Sequence, residues 1–223
     1  MDHQPRPGVR AKRSARDRLL RLAQTHPTRA LGFRDEVWWS RLAHPALHRW
    51  AEADRPLRLV EQAVAKDAPD PKALACYGLL VRWWAPDAPR QQAAWLRFVE
   101  GRPVSALTIA YLTWCCAKLQ ALGKEALLLV WDNASWHVSR AVRTWLRAHN
   151  RPVKAAGRGV RIIACHLPIK SPWLNPIEPK WSHGKRKVVE PDGLLTASDL
   201  AERVCEVFGC PYEEHLIISQ DAA

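Results

Sequence analysis

The stretch Leu127 to His137 reads Leu-Leu-Leu-Val-Trp-Asp-Asn-Ala-Ser-Trp-His. Four apolar residues, Leu127 to Val130, and then Trp131 run directly into Asp132 and Asn133. A short uninterrupted apolar run is the pattern of a strand buried on both faces, as in the middle of a parallel or mixed sheet. A carboxylate at the end of such a run lies at the mouth of the sheet, where open α/β folds keep their sites. The spacing of Val142, Trp145 and Leu146 predicts a helix over 138–150, capped by Ser135 or Ser139. The segment is therefore strand, acid, helix. A helix-capping role for Asp132 is the plain alternative to a functional one.

Working outward, the same mixture continues on both sides. Downstream, Val160 to Leu167 reads as a second short buried strand, separated from the helix by a basic, glycine-containing loop at 151–159. The following block, Leu167 to Trp181, is Leu-Pro-Ile-Lys-Ser-Pro-Trp-Leu-Asn-Pro-Ile-Glu-Pro-Lys-Trp. Pro176 suits a first helical turn with Asn175 as its cap, so Glu178 opens a helix running toward Val188. A last amphipathic helix is expected over 196–208, capped by Thr196 or Ser198. Upstream, Ser105 to Leu122 is a largely apolar helix. Strand-like runs occur at 30–42, 48–52, 57–64, 73–84 and 93–99. Strands come first and then helix, strand, helix, strand, helix, which gives a mixed α/β sheet with hairpins on its N-terminal side.

A chain of 223 residues with 48% hydrophobic and 25% charged residues is an ordinary globular composition, enough for one sizeable domain. Its net charge of +12 favours a polyanionic partner, nucleic acid ahead of a membrane surface. No apolar run approaches a membrane span, and the polar, basic N-terminus lacks a signal-peptide core, so no membrane partner and a cytoplasmic location are expected. The six cysteines form no C-x-x-C pair and read as reduced, buried small hydrophobes. Most of the twelve tryptophans are expected in the core, with base stacking the alternative for one or two. Residues 1–29, with Arg10, Lys12, Arg13, Arg16, Arg18 and Arg21, read as a basic leader containing a short helix over 14–23. They are expected to be solvated or disordered, with a phosphate-contacting arm as the alternative.

Three carboxylates fall at element edges: Asp35, Asp132 and Glu178. Phosphoryl transfer on nucleic acid uses such a cluster to hold two divalent ions, and Mg²⁺ suits oxygen ligands. The two blocks around Asp132 and Glu178 resemble the second and third catalytic blocks of DDE transposases. The likeness is to the insertion sequence 630 family of the mariner-type superfamily. Leu167-Pro168, Ser171-Pro172, Asn175-Pro176-Ile177-Glu178 and Trp181 match the third block; Asp132-Asn133 and His137 match the second. Phe33-Arg34-Asp35-Glu36 fits the short first-acid motif.

The resemblance covers residues 30–189 and implies an RNase H-like mixed sheet flanked by helices, with a catalytic domain over 30–190 and a C-terminal helix and tail over 191–223. By that resemblance Asp35, Asp132 and Glu178 are the catalytic residues and ligate Mg²⁺ or Mn²⁺, two ions in number. Asn133 and His137 support the site or contact DNA, and Asn175 positions the Glu178 helix. Lys180, Lys185, Arg186 and Lys187 either grip phosphates or form a solvated face. The implied activity is cutting of double-stranded DNA at transposon ends and joining to target DNA, by a nucleoid-associated bacterial homodimer. Only 34 residues precede Asp35. That is too few for the family's helix-turn-helix domains, so a separate protein from an upstream frame is expected to supply them. Arg34 occupies a position where the family has an apolar residue, which is expected to disturb the strand. A catalytically inactive DNA-binding remnant is the alternative reading.

Overall fold

The computed structural model describes residues 7–41, 65, 67–85, 89–99, 101–188 and 194–217. The elements in chain order are α1 (Pro7–Gln24), β1 (Arg29–Ser40), β2 (Ala73–Trp83), β3 (Gln91–Val99), α2 (Ser105–Ala121), β4 (Ala126–Trp131), α3 (Arg140–Ala156), β5 (Arg161–His166), a 3₁₀ turn (Pro172–Leu174), α4 (Glu178–Val188) and α5 (Ala197–Phe208). The strands expected over 48–52 and 57–64 lie outside the described residues.

The five strands form one mixed sheet in the order β3-β2-β1-β4-β5. β1, β2 and β3 pair antiparallel as a meander, and β4 and β5 join parallel to β1. The quoted apolar run is β4, an interior strand between the central β1 and the edge strand β5, and every one of its six residues is buried. Its side chains alternate between two cores. Leu128 and Val130 face α1, α4 and α5, together with Leu31, Phe33, Val37 and Trp39 of β1. Leu127, Leu129 and Trp131 face α2 and α3. Burying a leucine on either face stabilises the fold by roughly 1.5–3 kcal/mol, so the sheet is held from both sides.

Two expectations are corrected here. Residues 7–24 are not a solvated leader: the short helix expected over 14–23 extends over Pro7–Gln24 and packs against β1, β4 and β5, with Leu19 and Ala23 buried beneath it. Its leucines are too few to signal an amphipathic face, but they land on a sheet surface left open by the other helices. The basic loop expected over 151–159 is largely helix as well. α3 starts at the Ser139 cap, whose Oγ accepts from Val142 N at 3.2 Å, and runs through Pro152 to Ala156. It stops at Gly157, in the left-handed region at φ 62°. Asn150 secures this last part by exchanging two 2.8 Å hydrogen bonds with the backbone of Ile162 in the edge strand β5. α5 is closed by Thr196, which forms a reciprocal capping box with Asp199.

Candidate active site

The parallel register of β1 and β4 pairs Phe33 with Val130. Two residues farther along each strand stand Asp35 and Asp132, so the register carries both acids to the same end of neighbouring strands. Period-2 alternation puts Asp35 on the face of Phe33 and Val37, and Asp132 on that of Val130, which is the same side of the sheet. α4 packs on that side and begins with Glu178. Asp132 and Glu178 line one cavity of about 300 Å³, with Asn133, Leu167, the 169–172 loop and Asn175.

Electrostatics couple all three acids. Burial, then the charges of Glu178 and Glu36, push Asp35 up to about 8. Glu178 is raised by burial and by Asp132, partly offset by a hydrogen bond with Asp35. For Asp132 burial works upward too, but the hydrogen bonds from His137 and the Ala134 N–H outweigh it and hold this carboxyl below the usual range. Asp132 is thus the ionised member, and Asp35 retains a proton at neutral pH. Among the described residues, no three His, Cys, Asp or Glu side chains stand close enough to share one metal ion.

Asp35 is also held by its neighbours. Trp181 of α4 donates Nε1–H to Asp35 Oδ2 at 3.0 Å. Its indole lies over Gly78, the β2 residue paired with Asp35, where any Cβ would collide with the ring. Glycine in β2 is therefore what lets α4 approach the first acid.

The supporting residues divide. Asn133 donates to the Leu167 carbonyl at 2.6 Å and tethers the end of β4 to the exit of β5. His137 is fully buried, with Nδ1 2.6 Å from Asp132 Oδ1. Asn175 does not cap α4 with its side chain. Its Nδ2 donates to the Arg34 carbonyl at 3.1 Å, which ties the turn before α4 to β1. Lys180, Lys185, Arg186 and Lys187 are exposed on α4. None of the four lines the carboxylate cavity; Lys180 and Lys187 line a separate one of about 380 Å³ against β3 and α5.

Several site residues escaped the sequence reading. Lys12 of α1 reaches the Leu167 carbonyl at 3.2 Å and Asn133 Oδ1 at 3.4 Å, at the rim of the cavity. Glu36, the second acid of the Asp-Glu pair, faces the opposite side and accepts from Trp136 Nε1 at 3.2 Å. Arg34 does not disturb β1: it is wholly buried and forms an ion pair with Glu36. An arginine after an apolar run reads as a break in sequence, and only its tertiary partners neutralise it.

The DDE superfamily endonuclease model matches residues 88–200, half of the chain, including Asp132 and Glu178. The chain belongs to the DDE superfamily endonucleases. Solved structures of Mos1 transposase share its architecture. The paired-end complex with the left transposon end has a TM-score of 0.60 at 15% identity, covering 96% of this chain and 58% of that one. The mariner paired-end complex with Mn has a TM-score of 0.59 at 15% identity, covering 95% and 58%. The catalytic domain alone has a TM-score of 0.52 at 14% identity, covering 95% and 86%. This DDE endonuclease domain is accordingly RNase H-like in fold, and it spans a little over half the length of the Mos1 chains in the complexes. No curated protein matches it. Among the described residues, no helix is long and apolar enough to cross a membrane.

Proposed function

We propose that this chain is the catalytic domain of a transposase of the insertion sequence 630 type, cutting DNA at transposon ends and joining them to target DNA. The observation that carries the reading is the register-matched pair Asp35 and Asp132, electrostatically coupled to Glu178 at the start of α4. The family match and the Mos1-like fold support it.

The donor set fits divalent metal. The three side chains offer hard oxygen ligands suited to Mg²⁺ or Mn²⁺, and a cation there would relieve the repulsion that raises Asp35 and Glu178. The buried Asn175 Oδ1, in the same cavity, has no partner and is free to accept from a water. Asp132, Asp35 and Glu178 would hold the metal, in our reading two ions. Bound there, such ions supply an activated attacking oxygen and charge stabilisation at the leaving oxygen of an in-line displacement at phosphorus. The chain's own residues prepare the site. Asn133 and Lys12 hold the β4 and β5 ends at fixed separation, Trp181 orients Asp35, and His137 orients Asp132. The net charge of +12 suits a double-stranded DNA substrate held against this acidic centre. We further propose that the catalytic unit, with α1 and α5 packed onto its sheet, works as a homodimer on paired ends in the bacterial nucleoid.

Nicking of supercoiled plasmid with Mg²⁺ or Mn²⁺ tests the reading, with wild type set against Asp132→Asn. The substitution preserves shape and removes the charge that holds metal. Metal-dependent nicking that falls by at least a hundredfold in the variant is the expected result. Equal nicking by both proteins would remove Asp132 from the site. The second reading, an inactive DNA-binding remnant, draws on the proton-sharing Asp35 and Glu178; it requires DNA binding with no nicking by wild type.

A further inference from the structure

The chain between β5 and α4 is fixed to the rest of the domain at both ends. Asn133 and Lys12 donate to the Leu167 carbonyl at 2.6 and 3.2 Å, and Arg16 donates to the Leu174 carbonyl at 3.3 Å. The Leu174 and Asn175 N–H groups close the 3₁₀ turn onto Ser171 and Pro172, and the Asn175 side chain is bonded to β1. Lys170 stands in the left-handed region at φ 56°, a conformation that a non-glycine residue keeps only where its surroundings impose it. Leu167, Ser171 and Leu174 are buried. Ile169 and Trp173 are the reverse, 75% and 72% exposed. A pinned loop thus holds two large apolar side chains out in water, and it does so beside the carboxylates. Ile169 lines the cavity of Asp132 and Glu178, and so do Pro172 and Asn175 on either side of Trp173 in sequence.

The charges around this loop select its ligand. Lys170 is exposed and lines the same cavity. Lys12 uses two of its three N–H donors on Leu167 and Asn133, which also line it. Both acceptors are neutral, so they leave the Lys12 charge uncancelled. Arg16, one turn along α1, is by contrast paired with Asp17 at 2.6 Å. Cations beside an aromatic face are the combination that holds single-stranded nucleic acid: the backbone meets the cations and a base stacks on the ring. A base inside a duplex has both faces covered by its neighbours, so only an unpaired or terminal base can lie on the indole. We infer that Trp173 and Ile169 are a stacking platform for an unpaired nucleotide, whose backbone Lys12 and Lys170 hold. Its place next to the reacting phosphate rests on reading the carboxylates as a phosphoryl-transfer site; the platform itself does not. Such a platform favours DNA whose strands are parted at the point of cutting over intact duplex.

Fluorescence anisotropy of labelled oligonucleotides with the full chain in EDTA separates binding from cleavage. One DNA is a blunt duplex, and the other is the same duplex with a short single-stranded tail. Wild type is expected to bind the tailed DNA about tenfold more tightly, the effect of one base stacked on an aromatic ring. Trp173→Ala should erase that preference and leave blunt-duplex affinity unchanged, and Trp173→Phe should retain part of it. Because Trp173 buries little surface, both variants should unfold at the wild-type urea midpoint. Lys12→Gln should make the slope of log affinity against log salt for the tailed DNA shallower by about 0.7, one single-strand phosphate; an unchanged slope takes Lys12 out of the platform. A wild type that binds both DNAs equally, or neither, overturns the inference, and so does a Trp173→Ala protein that keeps the preference. Sedimentation velocity addresses the other occupant. A dimer that becomes a monomer in Trp173→Ala, with the tail preference intact, assigns this surface to a second copy of the chain and overturns the platform. Equal binding of the two DNAs alongside Asp132-dependent nicking would remove the platform and leave the transposase reading standing. A Trp173-dependent tail preference in a protein that never nicks would do the opposite.

Discussion

Replacing Asp35 with Asn is expected to stabilise the metal-free protein at neutral pH. In the folded chain Asp35 titrates near 8, against an ordinary 3.8. Between those values the unfolded chain has released this proton while the folded chain keeps it. The folded state binds more protons, so stability falls as pH rises. The contribution is complete below about pH 4 and is lost as pH climbs through 8. Over that window each pH unit removes about 1.4 kcal/mol. From pH 4.5 to 7.5 the ceiling is about 4 kcal/mol, and because Asp35 is only partly enclosed we discount this to about 2 kcal/mol. Asn carries no charge, and its Oδ1 can still accept from Trp181. Urea unfolding in EDTA, followed by tryptophan fluorescence, should therefore place Asp35→Asn level with wild type at pH 4.5. At pH 7.5 the variant's midpoint should lie about 1 M higher, for an m-value of about 2 kcal/mol/M. Taking the difference between the two proteins cancels every other titrating group. Excess Mg²⁺ should narrow the gap, since a ligand at a hundred times its Kd adds about 2.7 kcal/mol to the wild type. Equal midpoints at pH 7.5, or a gap identical at both pH values, would refute the coupling of Asp35 to its neighbours.

Other substitutions follow from the packing. Gly78→Ala forces the Trp181 indole off β2, and should cost about 1–3 kcal/mol in urea unfolding while lowering plasmid nicking through the displaced Asp35 partner. Ser139→Ala removes the α3 cap and should cost about 1 kcal/mol, read as a lower midpoint with nicking per folded molecule retained. Changing Lys185, Arg186 and Lys187 together to Gln tests the exposed end of α4. If they touch DNA, the slope of log affinity against log salt for a short duplex becomes shallower by about 0.9 for each phosphate no longer neutralised; an unchanged slope makes them a solvated face.

The buried strand β4 was legible because its signal is local. Six buried residues in a row leave no polar face, so β4 declares itself within a window shorter than one helix, and Asp132 follows as the first residue beyond it. The helices α2, α3 and α5 were readable for the same reason, through spacing and caps that involve neighbours in sequence. Of α1 only the part over 14–23 was readable; its full length and its packing were not, because a basic helix with few leucines gains its burial from a sheet formed much later in the chain. Asn175 was misjudged because its Pro-containing context suggests a cap, whereas the backbone of Arg34 in another element claims its side chain.

By itself, then, the sequence determined a mixed α/β sheet, the acids at its element edges and the two blocks by which the chain resembles DDE transposases. Tertiary structure decided which of those acids come to the same end and side of the sheet. Alternation says on which side of its own strand a residue lies, but not which strand lies beside it. Only the pairing of Phe33 with Val130 aligns Asp35 with Asp132. It also decided the meaning of Arg34, Glu36 and Gly78. A buried cation, a second acid and a glycine in a strand each look like a fault in a linear reading. They become a neutralised pair beneath His137 and a seat for Trp181 once residues distant in the chain close around them. The physical reason is that desolvation, charge pairing and close approach depend on three-dimensional neighbours.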